Sequence, residues 1–235
     1  MSLQARAEFL AQRVDRPIYH AWSAGRDAAH QVDQAMQRVE ITVDDARLRA
    51  DAGEVAEFGM HASGFDLLEF PTAVTNFLDP ALIASDYEAE VEAFLKSVTG
   101  CSRVHIFDRT VGASDPELRE RKQVREPAAL VHNDYTKKSG FTCLQENLGA
   151  DAGRLAQGRF QILNVWRPLV DPVEDYPLAL CDTRSIDPLD LIDSERRAPN
   201  HIGEIQLAVH NDAQRWFYFS AMRPPEVLLF KTFDS

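Results

Sequence analysis

The 235-residue sequence has only three cysteines and no long hydrophobic segment. Cys101, Cys143 and Cys181 lie far apart, so the sequence predicts neither a disulfide framework nor a zinc site with Cys-x-x-Cys spacing. We expect buried thiols in a reducing compartment. No stretch approaches the roughly 20 apolar residues that a membrane-spanning helix needs, and the N-terminal segment lacks the apolar core of a signal peptide. We therefore expect a cytoplasmic protein without a membrane partner.

Basic residues are also scarce, because 25 Lys and Arg stand against 37 Asp and Glu, a formal net charge of -12. Proteins that bind nucleic acid need a clustered excess of Lys and Arg to neutralise phosphates. The charge therefore argues against a nucleic-acid partner, and nothing in the sequence fixes an oligomeric state. With 45% hydrophobic residues the chain can bury one core, so we expect a single domain over residues 1–235.

The predicted elements favour a mainly β architecture with flanking helices. Residues 2–13 suggest a short surface helix, because their apolar residues have helical spacing. Stronger helix signals occupy residues 80–98 and 136–148, each after a residue that can cap it. Short strand-like runs are predicted at 39–43, 65–70, 72–77, 103–108, 158–167, 178–182, 202–209, 215–219 and 226–232. This order of elements predicts a double-stranded β-helix, or jelly roll.

His132 and Asp134 form a His-x-Asp triplet on a predicted extended segment. Side chains two residues apart on a strand share a face, so both could bind one ion while Asn133 faces away. With a second histidine, such a pair makes the facial triad that holds Fe(II) and leaves positions open for a keto acid and dioxygen. The triplet alone is expected by chance, and the letters VHND recur at 209–212. A hydrogen-bonded histidine beside a turn-capping aspartate is the alternative.

Motifs around the triplet give it a context. The segments VHNDYT, GRFQILNVWRPL, PLALCDTRSI and RWFYFSAMRPPEVLLFKTFDS, in this order, resemble the fungal and bacterial hydroxylase/desaturase family that contains gibberellin desaturase and the hydroxylase component of cephalosporin 7α-methoxylation. The segments RPIYHAW, VDDAR, GFDLLEFPTAVTNFLD and VTGCSRVHIFDRTV fit the N-terminal half of that family. The resemblance implies a jelly-roll oxygenase that depends on Fe(II) and 2-oxoglutarate, with His132 and Asp134 as metal ligands.

The resemblance also implies a distal histidine and a keto-acid-binding arginine after the strand-like segment 225–230. Neither follows within the sequence, so we expect a domain that lacks its C-terminal strands, with the third ligand supplied beyond Ser235. Within the chain, His210 is the substitute to consider, although a surface or core histidine is the simpler interpretation. His201, in a predicted loop, is a weaker candidate. Two protein ligands alone should hold Fe(II) poorly.

Three polar residues are candidates for contacts with the keto acid. Arg167 and Arg184 each offer a forked guanidinium that matches a carboxylate, and Asn164 lies in the same predicted strand as Arg167. A structural salt bridge, for instance with Asp171 or Asp182, is an equally good interpretation of either arginine.

Three further residues are candidates for contacts with the substrate. Tyr135 and Thr136 follow the ligand pair directly. Trp166 and the aromatic run 216–219 could wall a hydrophobic pocket, although such residues are more often sheet core. None of them identifies the substrate.

Three functions follow from these observations. The leading one is an oxygenase that couples the decarboxylation of 2-oxoglutarate to hydroxylation or desaturation of a small metabolite. The second is a non-catalytic β-sandwich homologue that has lost the metal and binds a ligand. A methyltransferase is suggested only by a label sometimes used for the family, and the sequence has no Gly-rich loop after a strand that would receive its cofactor.

Overall fold

The computed structural model describes residues 2–21, 31–51, 58–128 and 130–235. Trp22, the last residue of the RPIYHAW segment, lies outside the described residues. The strands of the described part are β1 (Ser2–Leu10), β2 (Ile18–His20), β3 (Gln31–Val32), β4 (Met36–Asp45), β5 (Phe65–Glu69), β6 (His132–Asn133), β7 (Gln161–Trp166), β8 (Leu180–Cys181), β9 (Leu191–Ala198), β10 (His201–Ala208), β11 (Trp216–Tyr218) and β12 (Glu226–Asp234). The helices are α1 (Ala46–Asp51), α2 (Pro80–Leu82), α3 (Glu88–Thr99), α4 (Pro116–Lys122), α5 (Lys137–Leu148) and α6 (Ala152–Leu155).

The strands form three sheets with the orders β1-β4-β11-β8, β3-β2-β9-β10-β6 and β5-β12-β7. Strand β1 connects the first two sheets, because Glu8 bridges to Leu130 and Leu10 bridges to Val209. The mainly β jelly roll that the sequence predicts is thereby confirmed. None of the described helices combines the length and apolar composition that crossing a bilayer requires.

Residues 2–10 form a strand, so the prediction of a surface helix over 2–13 was wrong. Alternate residues from Leu3 to Phe9 pack in one cluster around Ile41 and Val43. Strand β1 pairs antiparallel with β4 along all of its nine residues. This long ladder and the two-residue alternation outweigh the helix propensity of the Ala, Leu, Gln and Arg residues in the segment.

Strand β12 forms the centre of the three-stranded sheet and is buried on both faces. Val227 and Leu229 pack under α3 with Phe70, whereas Leu228 packs on the other face with Phe65. Val227, Leu228 and Leu229 are at most 1% exposed. A continuous apolar run is what a strand covered on both faces requires, and this explains why the segment was predicted correctly.

The helix predicted over 80–98 is confirmed as α2, one π turn (Ile83–Tyr87) and α3. The Asp79 carboxylate accepts hydrogen bonds from two backbone N–H groups of α2, and the helix ends at Gly100 with a left-handed φ of 69°. The predicted strands over 72–77 and 103–108 form no ladder within the described part of the chain. Cys101 is exposed, which corrects the expectation that all three thiols are buried.

Gly140 brings α5 against the end of β12. A Cβ at this position would lie 2.5 Å from ring atoms of Phe233, which is 9% exposed and packs edge-on against Phe141. We expect Gly140→Ala to lower the free energy of unfolding by about 1–3 kcal/mol through overpacking, despite the better helix propensity of alanine. Urea unfolding measures this difference.

Gly153, in α6, is the matched control. A Cβ at that position meets no atom within 4 Å. Gly153→Ala should therefore leave stability unchanged or raise it by up to about 1 kcal/mol. A Gly140→Ala variant that is as stable as the Gly153→Ala variant would contradict the close packing of α5 on β12.

Candidate metal centre

His132 and Asp134 lie at an edge of the five-stranded sheet. Strand β6 pairs with β10, with His132 opposite Leu207 and Asn133 opposite Gln206. Opposite residues in an antiparallel ladder share a face, so His132 lies on the apolar face that carries Leu207. Asn133 lies on the other face, where its amide donates to Gln206 Oε1 at 3.0 Å.

The imidazole of His132 is oriented for metal binding. Its Nδ1 lies 2.8 Å from the carbonyl oxygen of Leu130, which can only accept a hydrogen bond. In the neutral ring Nδ1 therefore carries the hydrogen, and Nε2 holds the free lone pair. Nε2 lies 3.4 Å from Asp134 Oδ1, and about a third of each side chain is exposed. These two atoms fit a shared divalent cation.

Burial and pairing act in opposite directions on these two groups. Desolvation by burial lowers the pKa of His132 and raises that of Asp134. When the ring is protonated, its Nε2–H donates to Asp134, and this hydrogen bond and the charge attraction outweigh burial, so that the pKa of His132 is raised and the pKa of Asp134 is lowered. Asp134 is therefore held as a carboxylate, the form that a cation requires.

Asn164 connects this pair to the three-stranded sheet. It lies on β7 opposite Phe230, and its amide donates to Asp134 Oδ2 at 2.9 Å. One carboxylate oxygen is thus occupied by Asn164, while Oδ1 faces His132. Asn164 was expected to contact a cofactor, and the structure places it instead as the partner that orients Asp134.

The described residues do not complete a triad. They contain no group of three or more His, Cys, Asp or Glu side chains that could hold a metal ion. His210 packs edge-on against Phe9, with ring centroids 5.3 Å apart, and its Nδ1 lies 3.9 Å from Asp212. The structure therefore does not bring His210 to the pair, because the neighbouring Val209 is fixed against β1. His201 is exposed at the start of β10.

Comparison with known proteins assigns the chain to a family. A family model described as an oxidoreductase/YMDC permease-like domain matches residues 8–235. The Fe(II)/2-oxoglutarate-dependent dioxygenase nvfI of Aspergillus novofumigatus is 32% identical over 206 residues, which are 83% of this chain and 70% of that protein. The chain belongs to the family of Fe(II)/2-oxoglutarate-dependent dioxygenases.

A second relative and a solved structure support this placement. The hydroxylase/desaturase efuI of Hormonema carpetanum is 31% identical over 217 residues, which are 83% of this chain and 71% of that protein. The solved structure of an iron and alpha-ketoglutarate-dependent endoperoxidase, NvfI, matches with a TM-score of 0.84 at 28% identity and covers 100% of this chain and 85% of that chain. The chain spans about two thirds of the length of the curated dioxygenase relatives that it matches.

In this dioxygenase fold the guanidinium of Arg167 is bound within the chain and is not available to the His132 and Asp134 pair. Its Nε donates to the Tyr87 hydroxyl at 2.9 Å, its Nη2 to the Phe70 carbonyl at 2.5 Å, and its Nη1 to the Pro224 carbonyl. The guanidinium carbon lies 4.7 Å from the centroid of the Phe70 ring. Arg167 therefore ties the end of β7 to the helix side of the sheet, and neither the keto-acid contact nor a salt bridge is its role here.

We expect Arg167→Leu to lower the free energy of unfolding by about 2–4 kcal/mol, because charge-assisted hydrogen bonds and cation–π contacts are lost. Binding of 2-oxoglutarate should stay unchanged. Arg223→Leu is the control, since that side chain is 66% exposed and should contribute at most about 1 kcal/mol. Weaker keto-acid binding at unchanged stability would restore the original expectation for Arg167.

Arg184 forms the salt bridge that was the alternative to keto-acid binding. Its Nε and Nη2 donate to the two carboxylate oxygens of Asp182 at 2.9 and 2.8 Å. Asp182 is fully buried and also binds Arg215. The forked geometry expected for a keto acid is thus used inside the chain, and the cofactor role of Arg184 was wrong.

Of the three residues expected to contact substrate, Thr136 is 0% exposed. It caps α5 by accepting from the Ser139 N–H at 3.0 Å, so the expectation of a substrate contact was wrong. Trp166 packs half-buried against the core cluster around Phe65, as sheet core. Tyr135 is half-buried, burial raises its pKa, and its hydroxyl accepts from Cys143 at 3.8 Å. Its contact with substrate remains a prediction.

Arg196 is the charged residue on the His132 face that the sequence interpretation missed. It belongs to β9, whose letters LIDSERRA contain four charged residues and resemble a loop. The sequence signal for a strand was the alternation of Ile192, Ser194 and Arg196 with three exposed or polar neighbours. In a strand, this alternation places every second residue on one face.

Proposed function

We propose that the chain forms most of the catalytic domain of a dioxygenase that uses Fe(II) and 2-oxoglutarate to hydroxylate or desaturate a small metabolite. The observation that carries the proposal is the orientation of His132 Nε2 and Asp134 Oδ1, 3.4 Å apart and each fixed by a hydrogen bond from its other side. The motifs quoted above support the finer placement near gibberellin desaturase and the cephalosporin 7α-hydroxylase component.

We further propose that the third metal ligand comes from outside the described residues. Two facts support this: no described side chain completes the group, and the chain spans about two thirds of the length of its curated relatives. The domain would then need additional strands to close its metal site.

The chain's own residues prepare the site in three ways. The Leu130 carbonyl fixes the tautomer of His132, and the Asn164 amide leaves one Asp134 oxygen for the metal. Leu207 of the five-stranded sheet and Trp166 of the three-stranded sheet belong to apolar faces. These faces exclude water on the side of the pair that faces the protein interior. Bound at this pair with its keto acid, Fe(II) supplies the oxidising chemistry that amino-acid side chains lack.

Anaerobic titration of the full-length protein with Fe(II) and 2-oxoglutarate tests the proposal. We expect the weak visible charge-transfer absorption of the iron–keto acid complex in the unsubstituted protein and none in His132→Ala. Absence of the band in the unsubstituted protein, or its survival in His132→Ala, would falsify the assignment.

Asn164→Leu tests the orientation of Asp134. A ligand that loses its supporting hydrogen-bond partner typically binds a metal about 10–100-fold more weakly. We therefore expect the Co(II) dissociation constant of Asn164→Leu to exceed that of the wild type by about 10–100-fold. Gln206→Leu is the control, because Gln206 bonds Asn133 on the opposite face. Equal Co(II) affinity in the two variants would show that Asn164 does not position the carboxylate.

The missing third ligand among the described residues favours one alternative, a ligand-binding homologue without metal. Metal analysis of the purified full-length protein separates the two functions. Near-stoichiometric iron, or another divalent metal that replaces it, supports the dioxygenase, whereas a metal-free protein that cannot be loaded supports the ligand-binding form.

A further inference from the structure

A cleft of about 440 Å³ lies on the face of the three-stranded sheet that α3 covers. Asp66 and Leu68 of β5 line it together with Leu229, the residue of β12 that is paired with Asp66. Asn164 lies on the opposite face, because it pairs with Phe230, the next residue after Leu229. The sheet therefore separates this cleft, which we call the β5 cleft, from the proposed metal ligands.

The walls of the β5 cleft are mainly apolar. Their apolar residues are Phe58, Met60, Leu68, Val98 and Leu229. Val98, near the end of α3, is 43% exposed. An exposed apolar side chain on a concave wall is stabilised when an apolar ligand covers it. The cleft therefore suits the apolar part of a small molecule.

The turn over residues 59–64, which forms one wall, is held by its own hydrogen bonds. The Gly59 carbonyl accepts from the N–H groups of Ala62 and Gly64 at 3.0 and 3.1 Å, and the Gly59 N–H donates to the Phe65 carbonyl at 3.0 Å. A Cβ at Gly59 would meet no atom within 4 Å, so this part of the wall is open. A wall that is already ordered reduces the entropy that a ligand loses by ordering it.

Asp66 is a half-buried carboxylate on the wall of the β5 cleft. It forms no ion pair with any residue that the structure describes. Burial raises the pKa of its carboxyl, and a hydrogen bond from the Leu67 N–H opposes that shift. His61, the other titratable residue of the described walls, is exposed. A carboxylate that loses hydration without a cation is stabilised by a ligand that supplies one.

The chain next to the cleft offers no cation either. Residues 52–57, which precede the turn and lie outside the described residues, contain no Lys, Arg or His. The formal net charge of -12 also favours a cationic ligand over an anionic one. A positive charge at Asp66 must therefore come from a bound molecule.

We infer that the β5 cleft binds a small molecule with an apolar body and a protonated amine, with the ammonium group on Asp66. An ammonium donates charge-assisted hydrogen bonds to a carboxylate, while the apolar body is buried against Leu68 and Val98. A neutral ligand of the same shape would desolvate the carboxylate further without pairing it. The inference does not depend on the proposed function, because the cleft and the metal ligands lie on different faces of the sheet.

The first test compares 4-phenylbutylamine with 4-phenylbutan-1-ol, which have the same apolar body and differ in charge at pH 7. Dissociation constants are measured by calorimetric titration of the full-length protein. We expect the amine to bind about tenfold more tightly than the alcohol. Asp66→Asn should weaken the amine about tenfold and change the alcohol by less than about twofold. Glu69→Gln is the control and should change neither, because Glu69 is exposed on the opposite face of β5.

The second test places a competing cation on the wall of the cleft. Val98→Lys should weaken the amine about tenfold, because its ammonium group can pair with Asp66. Val98→Met, with an unbranched side chain and no charge, should keep the affinity for the amine within about twofold. Melting temperatures establish that all variants are folded.

His132→Ala determines whether the amine binds at the cleft or at the metal ligands. Its affinity for the amine should equal that of the unsubstituted protein, and this result stands even if no iron complex forms. A loss in His132→Ala would place the amine at the metal ligands and overturn the inference. It is also overturned if amine and alcohol bind equally, if Asp66→Asn behaves like Glu69→Gln, or if Val98→Lys behaves like Val98→Met.

Discussion

Replacing His132 with alanine is expected to reduce succinate formation from 2-oxoglutarate in the full-length protein about a thousandfold or more. The substitution removes Nε2, one of the two proposed ligand atoms, and the loss should exceed the 10–100-fold typical of a residue that only supports a ligand. Iron content after purification should fall in parallel, because the remaining carboxylate of Asp134 holds Fe(II) poorly.

His210→Ala is the matched control for this prediction. His210 occurs in the same four letters, VHND, and the structure packs it against Phe9 instead of the ligand pair. Its replacement should change succinate formation by less than about twofold, although the lost ring contact lowers stability. Equal losses of succinate formation in His132→Ala and His210→Ala would contradict the assignment of the metal-binding role to His132 alone.

The two copies of VHND also show what local sequence can predict. Alternation along a strand correctly placed His132 and Asn133 on opposite faces, because that periodicity follows from backbone geometry alone. The letters could not say in which copy the aspartate meets a hydrogen-bond donor from another strand. Asn164 is 30 residues from Asp134 in sequence, and their hydrogen bond depends on how two sheets meet.

Long-range partners explain the errors in the candidate site. Arg167 and Arg184 were each expected either to bind the keto acid or to form a salt bridge, and only Arg184 binds a carboxylate, that of Asp182. The partners of Arg167 lie up to 97 residues away at Phe70, so no local pattern shows that its donors are occupied. The N-terminal strand was misjudged for the same reason, since β4, its partner, decides its conformation.

Replacing the buried carboxylate of Asp182 is expected to have the largest effect on stability. Asp182 is 0% exposed, binds Arg184 through both oxygens and Arg215 through one of them, and accepts the backbone N–H of Arg184 at 3.0 Å. Asp182→Ala should lower the free energy of unfolding by about 3–5 kcal/mol, because two guanidinium groups lose their shared carboxylate. Urea unfolding at pH 7 measures it.

Asp187→Ala is the control that separates burial from capping. Asp187 also caps a short 3-10 turn, by accepting the Leu189 N–H at 2.9 Å, but its side chain is 45% exposed. Its replacement should cost only about 1 kcal/mol, the usual value of such a cap. Similar losses in the two variants would show that the buried ion pairs of Asp182 add little to the fold.

The contribution of Asp182 should also depend on pH in one direction. Burial raises the pKa of this carboxyl, but the hydrogen bonds and charges of Arg184 and Arg215 outweigh burial and hold the pKa below its usual value. A carboxyl with a lowered pKa stabilises the fold fully above its unfolded pKa of about 3.9 and loses that contribution as the pH falls toward the folded value. The stability difference between wild type and Asp182→Ala should therefore stay constant from about pH 7 to 5 and shrink below about pH 4. A difference that remains unchanged in urea unfolding at pH 3 would contradict the ionic role of Asp182.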